Sequence, residues 1–171
     1  MIKEAASMVL ADELELLRKE IIKHHVDAGQ MASGKTAASL RVQVSGDEGT
    51  LFGRSPFGVL ETGRKPGKVP ANFQGIIRAW MKAKGIVAQP IPYKTNRPHK
   101  YTPEERGELT LSFLIARKIR KSGTRLFRTG GRADIYSNAI PATKQRIMMR
   151  IVELVKTDIK SIKLNNYTLI K

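Results

Sequence analysis

Apolar residues recur at helical spacing within the first 28 residues of the chain. Intervals of four, three and four residues place them on one face of an α-helix, and no Gly or Pro interrupts the segment before Gly29. Glycine is a common residue just past the end of a helix. The pattern therefore predicts an N-terminal helix over residues 1–28, with a buried stripe of Leu10, Leu14, Leu17 and Ile21.

A period of two replaces the helical period near residue 39. In SLRVQVSGDEGTLFGR, Leu40, Val42 and Val44 alternate with polar residues, as in a half-buried strand. The Gly and Asp residues of SGDEGT favour a turn, and LFGR can return as a second strand. We predict a β-hairpin here.

Helical spacing returns after residue 70. ANFQGIIRAWMKAKG predicts a short amphipathic helix, and a last helix is predicted over about 138–163. A helix between them begins at Thr102, because Thr102 can cap it, Pro103 suits its first position and Glu105 completes a capping box. We expect it to end near Ser122. The predicted inward residues are Phe73, Ile76, Ile77 and Trp80, then Leu109, Phe113, Ala116 and Ile119, then Ile147, Ile151, Leu154 and Ile162.

The remaining segments show neither period. They are a Pro-rich basic excursion over 86–103, the stretch GTRLFRTGGRADIYS and a tail over 164–171. No repeat or linker is apparent. We therefore predict one α+β domain over 1–171, in which Phe73, Trp80, Phe113 and Ile147 share a core.

Charge is the unusual feature of the composition. The chain has 171 residues, 31 Lys and Arg against 15 Asp and Glu, a net charge of +16 and no Cys. Without Cys, disulfides and thiolate metal sites are excluded. A charge of this size favours an anionic partner, which could be nucleic acid, an acidic protein or an anionic membrane. No apolar run approaches the roughly 18 residues of a membrane span, so we expect a protein made in the cytoplasm without a membrane anchor.

The segment GQMASGKT matches the pattern of a phosphate-binding loop at Gly29, Gly34, Lys35 and Thr36. Such a loop requires a buried strand before it and a helix after it. The neighbouring patterns predict the reverse order, a helix before and a strand after. We therefore interpret the segment as a connector of small residues and expect it to bind no nucleotide.

Three segments, in chain order, resemble those of the tail-completion, neck or minor tail proteins of tailed bacteriophages. They are SGKTAASL, FGVLETGR and ARKIRKSGTRLF. Arg64 stands where that family usually has Thr, and the long Pro-rich excursion also departs from the family. The residues that carry the resemblance are Gly34, Ser39, Phe57, Glu61, Gly63, Gly123, Thr124 and Phe127.

The resemblance implies a structural virion protein of the neck or tail. Such a protein forms a homo-oligomeric ring that joins the portal–connector to the tail around the DNA channel. Its partners would be neighbouring connector, portal and tail proteins and the passing DNA, which it contacts without reading sequence. It would have no cofactor and no enzyme activity. The excursion over 86–103 would be an arm that reaches a neighbour.

Four basic runs in predicted loops are the candidate contacts with DNA or an acidic partner. Lys and Arg at turns can reach phosphates without reading sequence. A solvated surface explains any single run better, and only the four runs together with the net charge of +16 make functional contact an equal alternative. Aromatic residues make up only 6% and do not interleave with these runs, which disfavours single-strand binding. The candidates are Arg64, Lys65, Lys68, Lys94, Arg97, Lys100, Arg125, Arg128 and Arg132.

No catalytic or metal-binding set competes with these candidates. His24 and His25 are adjacent, so on a helix they point about 100° apart and cannot chelate one metal at the usual i, i+4 spacing. Glu61 has no second acid or His near it in sequence, and Ser33 and Ser39 lack the G-x-S-x-G elbow of a hydrolase. The alternatives to a ring protein are a sequence-nonspecific nucleic-acid-binding module and, less favoured, a phosphate-loop enzyme.

Overall fold

Helices and one hairpin make up the fold. The computed structural model describes the backbone of residues 2–94 and 98–167 and the side chains of 3–94 and 98–162. The predicted α+β class is confirmed. The elements are α1 (Ile2–Asp27), α2 (Lys35–Ala38), β1 (Arg41–Ser45), β2 (Glu48–Phe52), a 3-10 turn (Ser55–Gly58), α3 (Val59–Thr62), α4 (Phe73–Ala83), α5 (Pro103–Ser122), α6 (Arg125–Arg128) and α7 (Ala139–Tyr167).

The chain divides into two compact units. The first unit contains Met1–Met31, Lys35–Phe57 and Ala133–Lys171, and the second contains Ala32–Gly34 and Gly58–Arg132. The first unit is therefore built from both ends of the chain, and nearly all of the second comes from the segment between them. Of the predicted tail over 164–171, residues up to Tyr167 continue α7, and the rest lie outside the described residues.

Helices α1 and α7 pack antiparallel in the first unit. The predicted stripe of α1 is confirmed, because Leu14, Leu17 and Ile21 are buried. Glu13 lies beside them with only 4% of its surface exposed. Its carboxylate accepts hydrogen bonds from Arg146 at 2.8 Å and Arg150 at 3.0 Å, so the two helices are joined by charge as well as by apolar contact.

The ion pairs explain how Glu13 tolerates burial. Hydrogen bonding to Arg146, with a smaller contribution from Arg150, lowers the pKa of the Glu13 carboxyl below its ordinary value, although desolvation opposes the shift. The carboxylate thus stays charged inside the helix pair. A buried carboxylate without such partners would be driven toward its neutral form.

The predicted hairpin packs against α1 and is confirmed. Strands β1 and β2 pair antiparallel, with Val42 opposite Leu51 and Val44 opposite Gly49. Burial alternates along β1, as its sequence period requires. One turn of helix, α2, precedes it and was not predicted, so GQMASGKT lies between the long helix α1 and a four-residue helix that leads into a strand. No strand precedes the segment.

Helices α4 and α5 form the core of the second unit. Phe73, Ile77 and Met81 are buried on α4 and pack against Leu111 and Ile115 of α5, among others. Polar contacts reinforce this packing: the Gln74 amide donates to the Ser112 hydroxyl at 3.2 Å, and Arg78 pairs with Glu108 at 3.0 Å. The prediction that Ile76 and Trp80 lie inward is wrong, because α5 covers only one side of the broad apolar face of α4.

The predicted common core of Phe73, Trp80, Phe113 and Ile147 is also wrong. Trp80 is 39% exposed and Phe113 is 52% exposed, while Ile147 belongs to the first unit. Helix α5 turns Ala116 and Ile119 toward α4 as predicted, but not Phe113. Its limits are as predicted, since Thr102 and Glu105 form the capping box and Gly123 is the C-cap.

The Pro-rich excursion folds back onto the start of α5. The amide of Ile91 donates to the Pro103 carbonyl at 2.9 Å, and the Arg106 guanidinium donates to the Pro92 carbonyl at 3.2 Å. The same guanidinium lies 4.6 Å from the Tyr93 ring centroid. The excursion is therefore anchored to its own unit at residues 91–93, and its role as an arm that reaches a neighbour stays a prediction. Residues 95–97 lie outside the described residues.

Candidate functional site

Two segments that resemble the phage family meet in the second unit although they lie 60 residues apart. The amide of Arg64 donates to the Thr124 hydroxyl at 2.9 Å, and the amide of Thr124 donates to the Arg64 carbonyl at 2.9 Å. The amide of Gly67 donates to the Arg120 carbonyl at 2.9 Å. This last bond satisfies one of the carbonyls that the end of α5 leaves without a helical partner.

Glycine is required at two positions of this junction. Gly63 has φ 69° and ψ 177°, and Gly123 has φ 73° and ψ 179°, a region that only glycine adopts readily. A Cβ on Gly63 would lie 2.4 Å from the Phe127 nitrogen, and one on Gly123 would lie 2.7 Å from the Arg64 oxygen. Both glycines carry the family resemblance, and their roles here are steric.

Thr124 and Glu61 complete the junction. The Thr124 hydroxyl caps α6 by accepting from the Phe127 amide. The Glu61 carbonyl accepts from the Arg132 amide at 2.9 Å, which ties α3 to the loop after α6. The Glu61 side chain is 4% exposed. Both residues therefore hold backbone segments in place.

Six exposed cations lie on the three segments that the junction brings together. We call them the basic surface. No acid occurs between Thr62 and Pro103 or between Leu109 and Ala133, so these segments contain no carboxylate that could neutralise it. Arg120 and Lys121 lie in the last turn of α5, where cations also suit the helix dipole. The basic surface consists of Lys65, Lys68, Arg120, Lys121, Arg125 and Arg128.

Arg64 and Arg132 have different environments from the other predicted contacts. The Arg64 guanidinium donates to the Lys68 carbonyl at 2.8 Å and lies 5.3 Å from the Phe73 ring centroid. It therefore stabilises the loop over residues 64–68, which we call the basic loop. Arg132 is half-buried and binds Glu61 through its amide.

Two other predicted contacts, Lys94 and Lys100, belong to the segment that leads into the opposite end of α5. Lys94 and Lys100 are exposed in the Pro-rich excursion, and Arg97 lies outside the described residues. Helix α5 has 20 residues, so about 30 Å separates its two ends. The structure thus brings Lys65, Lys68, Arg125 and Arg128 together and places Lys94 and Lys100 elsewhere.

Two clefts flank the basic loop. One, of about 570 Å³, is lined by Val59, Gly63, Pro66 and Phe127 as well as by Lys65 and Lys68. The other, of about 350 Å³, includes Phe73, Phe113, Arg117 and Arg120. Both clefts are lined by apolar and basic residues, which suits an anionic partner that also carries apolar groups.

Ser39 of the segment SGKTAASL and Phe57 of the segment FGVLETGR have structural roles in the first unit, whereas Gly34 belongs to the second. The Ser39 hydroxyl donates to the Thr36 carbonyl at 2.7 Å and accepts from the Arg54 amide at 3.1 Å. The Phe57 ring lies 5.1 Å from that of Tyr136. Gly34, with φ 71°, precedes α2. These contacts fix the base of the hairpin.

The described residues contain no group of three or more His, Asp or Glu side chains placed to hold a metal ion. His24 points its Nδ1 toward the Ile135 carbonyl at 3.3 Å. Over the same residues, no helix is both long and apolar enough to cross a membrane.

Comparison with known proteins identifies no family for this chain. No family model, curated protein or solved structure matches it.

Sequence patterns alone did not reveal this junction. Helices α3 and α6 have four residues each, too few to show a helical period. The one local signal is Thr124, a good helix cap three residues before Phe127. The contact between Arg64 and Thr124 spans 60 residues and leaves no periodic signature.

Proposed function

We propose that this chain is a structural subunit of the neck or tail of a tailed bacteriophage, where copies form a ring around the DNA channel. The observation that supports this most is the junction of Gly63–Arg64 with Gly123–Thr124. The two segments contact each other here at glycine positions that leave no room for a side chain, and this contact supports the proposal.

The charge distribution fits such a role. The second unit carries 17 Lys and Arg against 4 Asp and Glu, a net charge of +13. Its basic surface rests on a hydrogen-bonded junction, so the cations are held on a defined backbone. An anionic body, DNA or an acidic neighbouring ring, would offset the repulsion among them.

Virion composition tests the proposal directly. In the phage that encodes this chain, purified particles should contain the protein, and a nonsense mutation early in its gene should give filled heads without attached tails. Complementation with the intact gene should restore joined particles. Absence of the protein from purified particles would overturn the proposal.

A sequence-nonspecific nucleic-acid-binding protein is the second candidate, and the acid-free basic surface favours it. Binding to a duplex DNA should weaken steeply with salt, with a log–log slope of up to about −5 for six neutralised phosphates. Unrelated duplexes should bind alike. A duplex-binding protein that never enters the virion would support this candidate over the ring.

A triple charge reversal locates the contact. Lys65→Glu, Lys68→Glu and Arg125→Glu together should reduce the salt slope by about 3, one unit for each cation. The matched control is Lys19→Glu, Lys144→Glu and Lys160→Glu, three exposed residues of the first unit. Both triples change the net charge equally, so an equal loss of binding would exclude a specific role for the basic surface.

A further inference from the structure

Helix α7 carries two apolar stripes, of which the sequence pattern revealed one. The predicted inward residues Ile147, Ile151 and Leu154 are half-buried. Ile162, predicted to lie with them, is 55% exposed, so that prediction is wrong. It belongs to a second stripe, whose members are 39% to 62% exposed; we call it the α7 seam. The α7 seam consists of Met148, Val152, Val155, Ile159 and Ile162.

The seam has the spacing of a coiled coil. Its residues follow one another at intervals of four, three, four and three, the alternation of a and d positions in a heptad. A stripe with this average period of 3.5 residues remains in register with another helix of the same period. Val152 and Ile159 then occupy a positions, and Met148, Val155 and Ile162 occupy d positions.

The later part of the seam is exposed beyond the cleft that α1 and α7 share. Lys3 and Ala6 of α1 line one apolar cleft together with Leu154 and Val155. Ile159 and Ile162, about one and two helical turns further along α7, are 50% and 55% exposed. A further helix could cover these apolar side chains.

Charge favours another copy of this chain as the partner. Residues 148–162 contain three cations, Arg150, Lys156 and Lys160, and two acids, Glu153 and Asp158. Their net charge is +1, whereas the whole chain carries +16. Copies of so basic a chain repel one another, and the α7 seam is a surface where this repulsion is small and apolar area is available.

We propose that α7 helices from several copies of this chain pack in parallel and in register through the α7 seam. Four of its five residues are β-branched, and such residues at both a and d favour three or four helices over two. Parallel packing around one axis gives the associated copies cyclic symmetry. Because a bundle of three or four helices has a filled core, this axis is not the channel axis of the proposed ring. The inference does not rest on the proposed function, because the seam lies in the first unit and the basic surface in the second.

Sedimentation equilibrium of the full chain tests the seam. At about 0.5 M salt, where exposed charges are largely screened, the chain should associate reversibly between about 10 µM and 1 mM. Ile159→Asp should raise the dissociation constant at least about tenfold. Thr157→Asp, which adds the same charge at the outward f position of the same turn, should change it less than about twofold.

The absence of Cys allows a direct measurement of orientation. Ile159→Cys should form a disulfide between copies under mild oxidation, because equivalent a positions face each other in a parallel, in-register bundle. Thr157→Cys should not. Circular dichroism of each variant checks that α7 is retained. A chain that is monomeric throughout the concentration range, association indifferent to Ile159→Asp, or cross-linking of Ile159→Cys no faster than Thr157→Cys would each overturn the proposal.

Discussion

The two units of this chain distribute apolar burial and charge in opposite ways. Among the described residues, the first unit contains eight of the buried hydrophobic side chains and the second contains three. The first unit carries 14 Lys and Arg against 11 Asp and Glu, a net charge of +3, whereas the second carries +13. The more basic unit therefore has the smaller core.

The difference shows two ways of holding a small unit together. In the first unit, two long helices bury apolar stripes and compensate a buried carboxylate with two arginines. In the second, the core is limited to Phe73, Ile77 and Met81 with their neighbours, and the remaining order comes from backbone hydrogen bonds at glycine-dependent junctions. Such junctions leave the side chains of the loops free to be basic, because those side chains are not needed for packing.

Among the substitutions that test this comparison, Gly63→Ala has the largest expected effect on stability. A side chain at this position is strained by its backbone angles and would overlap the Phe127 nitrogen, so we expect a loss of about 3 to 5 kcal/mol from the second unit. Urea unfolding followed by Trp80 fluorescence reports on that unit. Gly58→Ala is the control, since a Cβ there meets nothing within 4 Å. Equal effects of the two substitutions would mean that the junction is not important for stability.

A pair of core substitutions gives the next largest effect. Met81 is 1% exposed, so Met81→Ala should cost about 3 kcal/mol. Phe113→Ala should cost less than about 1 kcal/mol, because its ring is half in solvent. The same unfolding measurement separates the two. If Phe113→Ala proves the more damaging, the face of α5 predicted from its periodicity, and not the observed one, is the buried face.

The smallest effect concerns Glu13 and depends on pH. The folded-state pKa of Glu13 is lowered by Arg146, so its contribution is present above the unfolded pKa of about 4.3 and is lost as pH falls through the folded value. Glu13→Gln should cost about 1 kcal/mol at pH 7.

Calorimetric melting between about pH 3 and pH 7 checks this expectation. The difference between the wild type and Glu13→Gln should shrink as pH falls below about 4. Glu108, whose pKa is lowered by Arg78 in the second unit, supplies the control, and Glu108→Gln should have a smaller effect because that pair is more exposed. A difference independent of pH would show that Glu13 acts by shape and not by charge.

The sequence predicted the parts of this fold that depend on local order. The stripe of α1, the alternation in β1 and the capping box of α5 are short-range patterns, and each gave the observed element. Which apolar residues of a broad face become buried depends on where a second helix packs. For this reason Trp80, Phe113 and Ile162 were misplaced, although their helices were predicted.

The candidate site was predictable only in its composition. The basic runs were evident, but only the fold separates Lys94 and Lys100 from the basic surface and gives Arg64 a loop-stabilising role. Gly63 and Gly123 were identified by a family resemblance, and their steric requirement becomes visible only when residues 60 positions apart are seen in contact.

The pairing of α1 with α7 also affects the order in which the parts of this protein fold during synthesis. Glu13 and Arg146 are 133 positions apart, so α1 leaves the ribosome long before its partner is synthesised. The whole of 58–132 emerges in that interval and can fold from contacts within itself. Until the last segment is complete, only the hairpin can cover the apolar side of α1, and the part that α7 later buries stays exposed and open to chaperone binding.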